Sequence, residues 1–226
     1  MLSIKNKSYF SLESIYLLLL FLISFIINFH YSNLGVFPLD SFLHFDTGYR
    51  ILNDELPVRD FWIVHGIFLD FLQAIFFKIF GVNWLGYVFH SSLLNSLVSV
   101  FTFYILRLLD LNKHLAFIFC IFFGILAYPP SGTPFIDHHS TFFSLFGIYF
   151  LILGIKKRNF IYFFILPFMF GFAFLSKQVP AAYIIFSISI IIIFFSIIKR
   201  NIKYLIYSLA GTLFFVLLLG IFFRLQ

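Results

Sequence analysis

Charge is scarce in this sequence, and cysteine is almost absent. Only 11% of its 226 residues are Asp, Glu, Lys or Arg, whereas 62% are hydrophobic, and the mean hydropathy is +1.05. So little charge excludes an ordinary soluble domain. The single cysteine, Cys120, lies in an apolar run and has no partner for an internal disulfide, so it gives no information on the redox compartment.

Long apolar runs recur along the whole chain, and each is long enough to cross a hydrocarbon core of about 30 Å. They do not alternate as the strands of a membrane barrel do, so they predict helices. No tandem repeat, low-complexity linker or soluble domain interrupts them. We therefore expect a single all-α, polytopic transmembrane helix bundle over residues 1–226. Seven spans are predicted, at residues 15–29, 84–107, 114–130, 139–155, 160–176, 179–198 and 203–223.

The basic residues predict how the spans are oriented. With the N-terminus cytoplasmic, and with residues 65–81 lying at the interface instead of crossing, ten of the fifteen basic residues face the cytoplasm. A crossing at 65–81 would move the clusters at 156–158 and 199–203 to the outer side. The first span is followed by no small-residue cleavage site, so we expect it to be retained. The net charge of +6 is thus a topology signal, and no nucleic acid partner is expected.

Most of the acidic residues lie in one place, the outer loop after the first span (residues 33–83). Six of the nine fall between Asp40 and Asp70. Apolar residues at helical spacing predict an interfacial helix over 41–53, and residues 65–81 predict a second one, with Asp70 and Gln73 on its water-facing side. Two further outer segments, 129–139 and 176–180, are polar. We expect the three segments to form one site at the outer interface.

Several short motifs occur in order in this loop and beyond it: Asp40, Ile51-Leu52-Asn53-Asp54-Glu55-Leu56-Pro57-Val58-Arg59-Asp60-Phe61, His65-Gly66, Phe80-Gly81 and Lys177-Gln178. Together they resemble the GT-C class of polytopic glycosyltransferases, which includes the protein mannosyltransferases and the lipid A aminoarabinose transferases. Within that class the chain is similar to glycosyltransferase family 39. Asp54 stands where the family prefers Gly, and Gly66-Ile67 where Pro is common. The chain is also shorter than such enzymes, so we expect a reduced member, a chain truncated at its C-terminus, or half of a complex.

The resemblance implies transfer of a sugar from a polyprenyl-phosphate carrier to a lipid, glycan or protein acceptor on the outer side of the membrane. The acceptor must lose a proton as it attacks, and an interfacial carboxylate is a natural base. Asp40 is the first candidate, although its position also fits an N-cap of the first interfacial helix. Asp46 is the second candidate, but it fits a solvated helix face. Asp60 either orients the acceptor or the base, or forms a surface ion pair with Arg59.

The leaving phosphate needs cations, and Arg50, Arg59 and Lys177 are the candidates. Lys177 also fits an interfacial lysine whose ammonium group reaches towards water. The remaining candidates for substrate contact are His65, Asp137, His138 and Gln178.

The run Asp137-His138-His139 has the residue types of a metal site. Adjacent histidines on a helix point about 100° apart, and nothing is spaced to complete the site, so no metal and no cofactor are expected. The alternatives for this run are a polar rim around the substrate and a helix cap by Asp137. His90 and Asn95, inside the second span, are expected to be interhelical hydrogen-bond partners.

Two other functions remain open from the sequence. A transporter or lipid flippase is one, although its charged residues should lie deep within spans, and the later spans are nearly free of charge. A non-catalytic membrane subunit, or a fragment of an enzyme, is the other. The expected location is the bacterial inner (plasma) membrane, with membrane lipids as further partners.

Overall fold

The computed structural model describes residues 12–36 and 40–224. In these ranges nine α-helices form, and no strand is assigned. Lys5 and Lys7, which support the predicted orientation of the N-terminus, lie outside the described residues. The helices are α1 (Leu12–Tyr31), α2 (Asp40–Leu52), α3 (Phe68–Phe80), α4 (Trp84–Leu108), α5 (Lys113–Leu126), α6 (Ile136–Lys157), α7 (Ile161–Ser176), α8 (Gln178–Ile198) and α9 (Lys203–Arg224).

Seven of these helices coincide with the seven predicted spans. Five of them (α1, α4, α6, α8 and α9) are long and apolar enough to cross a membrane. The other two, α5 with 14 residues and α7 with 16, are apolar but shorter. At a rise of 1.5 Å per residue, α5 is only about 21 Å long. The expectation of an all-α, polytopic bundle is confirmed, and the count of seven spans stays a prediction.

The spanning helices pack in two groups, which contact each other through α4 and α6. On one side, Leu20, Phe103 and Cys120 join α1, α4 and α5 in one buried cluster. On the other, Phe163, Phe170 and their neighbours join α6, α7, α8 and α9. A third cluster joins α4 to α6 and holds the two groups together.

Polar contacts also join the helices, as small polar residues often do in membranes. The Asn95 side chain donates to the carbonyl oxygens of Ser24 (3.0 Å) and Gly124 (2.8 Å), and so links α4 to α1 and α5. Gly124 has no room for a side chain, because a Cβ there would lie 2.9 Å from the Ser99 hydroxyl. The expectation that Asn95 is an interhelical hydrogen-bond partner is confirmed.

The two short helices predicted in the first loop are present, as α2 and α3. Their orientation, however, differs from the prediction in one respect. Asp70 and Gln73 were expected on a water-facing side of α3, but both are fully buried. The prediction was wrong because these polar groups face α2 and α4, where they find hydrogen-bond partners. Similarly, α2 buries His44, Thr47 and other polar residues, and exposes aromatic ones.

Candidate functional site

Asp70 is the centre of a buried polar cluster between α2 and α3. Its carboxylate accepts hydrogen bonds from His44 Nδ1 (2.8 Å), His65 Nε2 (2.8 Å) and Thr47 Oγ1 (2.5 Å). Burial opposes ionisation of this carboxyl, but the hydrogen bonds from the two histidines outweigh burial and lower its pKa. Burial also lowers the pKa of His44, more than Asp70 raises it. The cluster fixes α2, α3 and the segment between them relative to one another.

A chain of side-chain hydrogen bonds continues from α3 towards the α5–α6 loop. Gln73 Oε1 lies 2.8 Å from His90 Nδ1, and His90 Nε2 lies 3.0 Å from His139 Nε2. His139 Nδ1 is 3.0 Å from the Tyr128 hydroxyl, which accepts a hydrogen bond from the Phe135 backbone N–H. The expectation that His90 is an interhelical hydrogen-bond partner is confirmed. This chain positions the loop that carries His138.

Asp40, the candidate base, lies at a small cavity of about 220 Å³. It is the exposed first residue of α2, so the alternative role in starting that helix remains open. His138 also lines this cavity, with its Nδ1 3.3 Å from the Ser131 hydroxyl and its ring 4.6 Å from that of Tyr128. The structure therefore brings together two of the candidate residues, from the first and second outer segments. The cavity is lined by Asp40, Pro130, Ser131, Phe135 and His138.

Lys177 and Asp137 form an ion pair that joins the second and third outer segments. Lys177 Nζ lies 2.6 Å from an Asp137 carboxylate oxygen, and the Ser140 hydroxyl donates to the Lys177 carbonyl. The helix-cap alternative for Asp137 is wrong, because the N-cap position of α6 is Phe135 and has no side-chain cap. Both charged groups are more than a third exposed, so they are accessible from outside the bundle.

The His65-Gly66 step packs directly against the end of α7. The Gly66 backbone N–H donates to the Ser176 carbonyl (3.1 Å), and a Cβ on Gly66 would collide with the Leu175 carbonyl. Only glycine can make this approach without moving the backbone. This contact holds two backbone segments side by side. One carries His65, which is buried against Asp70, and the other carries Lys177. The exposed first residue of α8 is Gln178.

Arg59 and Asp60 pair with each other on the exposed part of the first loop. Arg59 Nη2 lies 2.6 Å from Asp60 Oδ2, which also accepts a hydrogen bond from the Leu56 backbone N–H (2.7 Å). The Arg59 hydrogen bonds lower the pKa of the Asp60 carboxyl. Arg50 lies on the same loop and pairs with Asp46 (2.8 Å), as expected for a solvated face of α2. It also pairs with Glu55 at 3.1 Å.

A groove lies between the first loop, α3, α7 and α9. It consists of a cavity of about 550 Å³, which includes Arg59, and a smaller one of about 180 Å³ that shares the walls Ile67 and Phe71 with it. Apart from Arg59, its lining is apolar and rich in aromatic rings. The other lining residues are Leu56, Pro57, Val58, Phe68, Phe172, Leu175, Leu219, Phe222 and Phe223.

The buried partners of Asp70 were missed by the sequence reasoning. A signal was present, because Ser41, His44, Thr47 and Gly48 recur at helical spacing on an otherwise aromatic helix. In a lipid environment such a polar stripe marks the side that faces protein instead of water.

The comparison with known families decides the class of the protein. A family model described as dolichyl-phosphate-mannose-protein mannosyltransferase matches residues 64–220, more than two thirds of the chain. The chain belongs to this family. No curated protein sequence and no solved structure matches it.

Membership of the mannosyltransferase family makes the chain a membrane glycosyltransferase of the GT-C type, which confirms the resemblance drawn from the loop motifs. The matched range includes His65, Asp137, His138, Lys177 and Gln178. It begins after Asp40, Arg50, Arg59 and Asp60. The functional roles of all nine residues stay predictions.

Proposed function

We propose that the protein transfers a sugar from a polyprenyl-phosphate carrier to a lipid, glycan or protein acceptor on the outer side of the membrane. The groove between α3, α7 and α9 is the observation that carries this proposal. An isoprenoid tail needs an apolar channel that is open to lipid, and its phosphate needs a cation at the interface. The groove offers aromatic walls such as Phe71 and Phe222, together with Arg59.

In this reaction the acceptor oxygen or nitrogen attacks the anomeric carbon from the side opposite the phosphate. The bond from that carbon to the phosphate oxygen breaks, and the carrier phosphate leaves with the electron pair. Asp40 takes the acceptor proton. Because the acceptor attacks from the side opposite the phosphate, the configuration at the anomeric carbon inverts. Arg59 and Lys177 stabilise the departing phosphate, each exchanging part of its present contact with Asp60 or Asp137 for phosphate oxygens. Arg50 and Asp60 keep the loop in place.

His138 lines the same small cavity as Asp40 and supplies a polar contact for the acceptor. Gln178 stands beside the Lys177 step and completes the polar rim, whereas His65 is buried against Asp70 behind that rim and supports it. This assignment uses residues from all three outer segments, as the sequence predicts. A transporter or a non-catalytic subunit would need no carboxylate and histidine at a shared cavity, and the family match favours neither.

The test is transfer of radiolabelled sugar in membranes that express the chain, with a panel of polyprenyl-phosphate donors. Asp40→Asn keeps the shape of the side chain but removes the base, so transfer should fall by about 100-fold or more. Asp46→Asn is the matched control, because Asp46 is an exposed carboxylate on the same helix, and it should keep most activity. Equal transfer by wild type and Asp40→Asn, at equal protein levels, would exclude Asp40 as the base. No transfer by the wild type with any donor would favour the subunit or fragment.

A further inference from the structure

Three potential metal ligands converge at the buried cluster between α2 and α3. One ring nitrogen of His44, one ring nitrogen of His65 and one carboxylate oxygen of Asp70 all lie within 4.8 Å of one another. They come from three different segments: α2, the connecting segment, and α3. The exposed fractions of the three residues are only 1%, 6% and 0%.

Hydrogen bonds hold the buried Asp70 carboxylate. Its three donors are two imidazoles and the Thr47 hydroxyl, and none of them carries a permanent charge. A positive charge beside a buried carboxylate stabilises it further. A divalent cation at this place would supply such a charge.

We propose that His44, His65 and Asp70 bind a divalent transition-metal ion of the zinc type. Two imidazole nitrogens and one carboxylate oxygen are a ligand set that suits Zn²⁺, and a fourth position is left for the nearby Thr47 hydroxyl or a water molecule. Bond lengths of about 2.0–2.1 Å require ligand atoms about 3.3 Å apart in a tetrahedron. His44 Nδ1 now lies 2.8 Å from Asp70 Oδ1 and His65 Nε2 lies 2.8 Å from Asp70 Oδ2, so the side chains must move to this spacing when an ion binds.

Metal binding requires each histidine to present an unprotonated nitrogen to the ion. For His65 this moves the proton from Nε2 to Nδ1, and His65 Nδ1 is a buried atom without a hydrogen-bond partner. The change of tautomer therefore breaks no other hydrogen bond of that ring. This proposal departs from the sequence-based expectation of no metal, which considered only the 137–139 run.

The ion would act as a structural clamp. It joins α2 to α3, and both are 13-residue helices, a length at which an isolated helix is marginal in water. Asp40 lies one helical turn before His44 on α2. The clamp would therefore fix the helix that carries the candidate base, without itself contacting the substrate.

The first measurement is the metal content of the wild-type chain, purified in detergent through an affinity tag that contains no histidine. Elemental analysis should find about one zinc ion per chain after growth with added zinc. X-ray absorption should show nitrogen and oxygen neighbours at about 2.0–2.1 Å and no sulfur. A chelator should lower the Tm, and added zinc should restore it. A folded wild type that holds no metal, with a Tm insensitive to chelator, would overturn the proposal.

Two variants locate the ion. His65→Gln should reduce the zinc content at least tenfold, whereas the control His139→Gln removes another buried histidine and should leave it unchanged. Equal zinc in wild type and His65→Gln would show that the ion binds elsewhere and would also overturn the proposal. If His65→Gln fails to fold, His44→Gln takes its place, and zinc retained in full by folded His44→Gln would overturn the proposal in the same way.

Discussion

Asp70 and Thr47 show at the scale of single residues what holds a carboxylate inside an apolar protein. Both oxygens of Asp70 accept hydrogen bonds, and the shortest comes from the Thr47 hydroxyl. A hydrogen bond to a charged group contributes about 1.5–3 kcal/mol, more than a bond between neutral groups. The polar face of α2 therefore supplies hydrogen-bond donors to Asp70 and does not face water.

Thr47→Val tests this at a single atom, since the two side chains have nearly the same shape. Removing the hydroxyl should reduce the free energy of unfolding by about 1.5–3 kcal/mol, because Asp70 loses one donor in a buried place. The measurement is thermal or denaturant unfolding in detergent. Thr212→Val is the control, since the exposed Thr212 hydroxyl bonds only to the Ser208 carbonyl of its own helix. Equal, small effects of the two changes would contradict the assigned role of Thr47.

The sequence alone did not predict these contacts. His44 and Asp70 are 26 residues apart, and Gln73 and His90 are 17 apart, on different helices. Side chains meet across helices according to how the helices are rotated about their axes. For α3 the predicted water-facing side is in fact the buried side. The polar residues on it bond to polar residues of neighbouring helices and do not face water.

At the scale of elements, the first loop and α7 approach each other closely at one glycine. Gly66 lies against the Leu175 carbonyl, and its N–H bonds to the Ser176 carbonyl. This contact keeps the His65-Gly66 step beside the Lys177 step.

Gly66→Ala should therefore separate the first loop from α7. We expect a fall in sugar transfer of at least tenfold and a lower Tm, because the added methyl group meets backbone and not a flexible side chain. Gly35→Ala is the matched control in the same loop, since a Cβ there would meet nothing within 4 Å. Wild-type transfer and Tm in Gly66→Ala would show that the loop can move away from α7 at no cost.

Hydropathy predicted the helices of the bundle well, but their ends less well. The third predicted span, 114–130, ends early, at Leu126, because the chain turns before Pro129 and Pro130. The fourth, 139–155, is longer than predicted at both ends, since α6 runs from Ile136 to Lys157. Charged residues at its ends shortened the apolar run but not the helix.

For the molecule as a whole, the directions of the helices show which residues lie at each end of the bundle. The Asp137–Lys177 pair lies where α6 begins and α7 ends, whereas Lys156 and Lys157 lie where α6 ends. The candidate residues and the basic cluster are therefore at opposite ends of the bundle. From this arrangement the positive-inside rule predicts that the candidate site lies on the outer side.

Single introduced cysteines test this sidedness, because the native Cys120 is buried and should not react. Asn53→Cys, in the first loop, should react with a membrane-impermeant maleimide in intact cells. Asn159→Cys, between α6 and α7, should react only after the cells are permeabilised. Both positions are exposed, so accessibility within the protein does not limit the reaction. Labelling of Asn159→Cys in intact cells would mean that residues 65–81 cross the membrane after all.

The reversed faces of α2 also have a consequence for how the chain is made. Synthesis proceeds from the N-terminus, so Asp40–Leu52 leaves the ribosome before Phe68–Phe80, the helix that receives its polar side chains. Until α3 follows, His44 and Thr47 lack Asp70 as a partner, while Phe42 and Tyr49 lie on the exposed side of the helix. The polar face of α2 gains its buried partner only after α3 is made, so the order of translation sets the order of assembly.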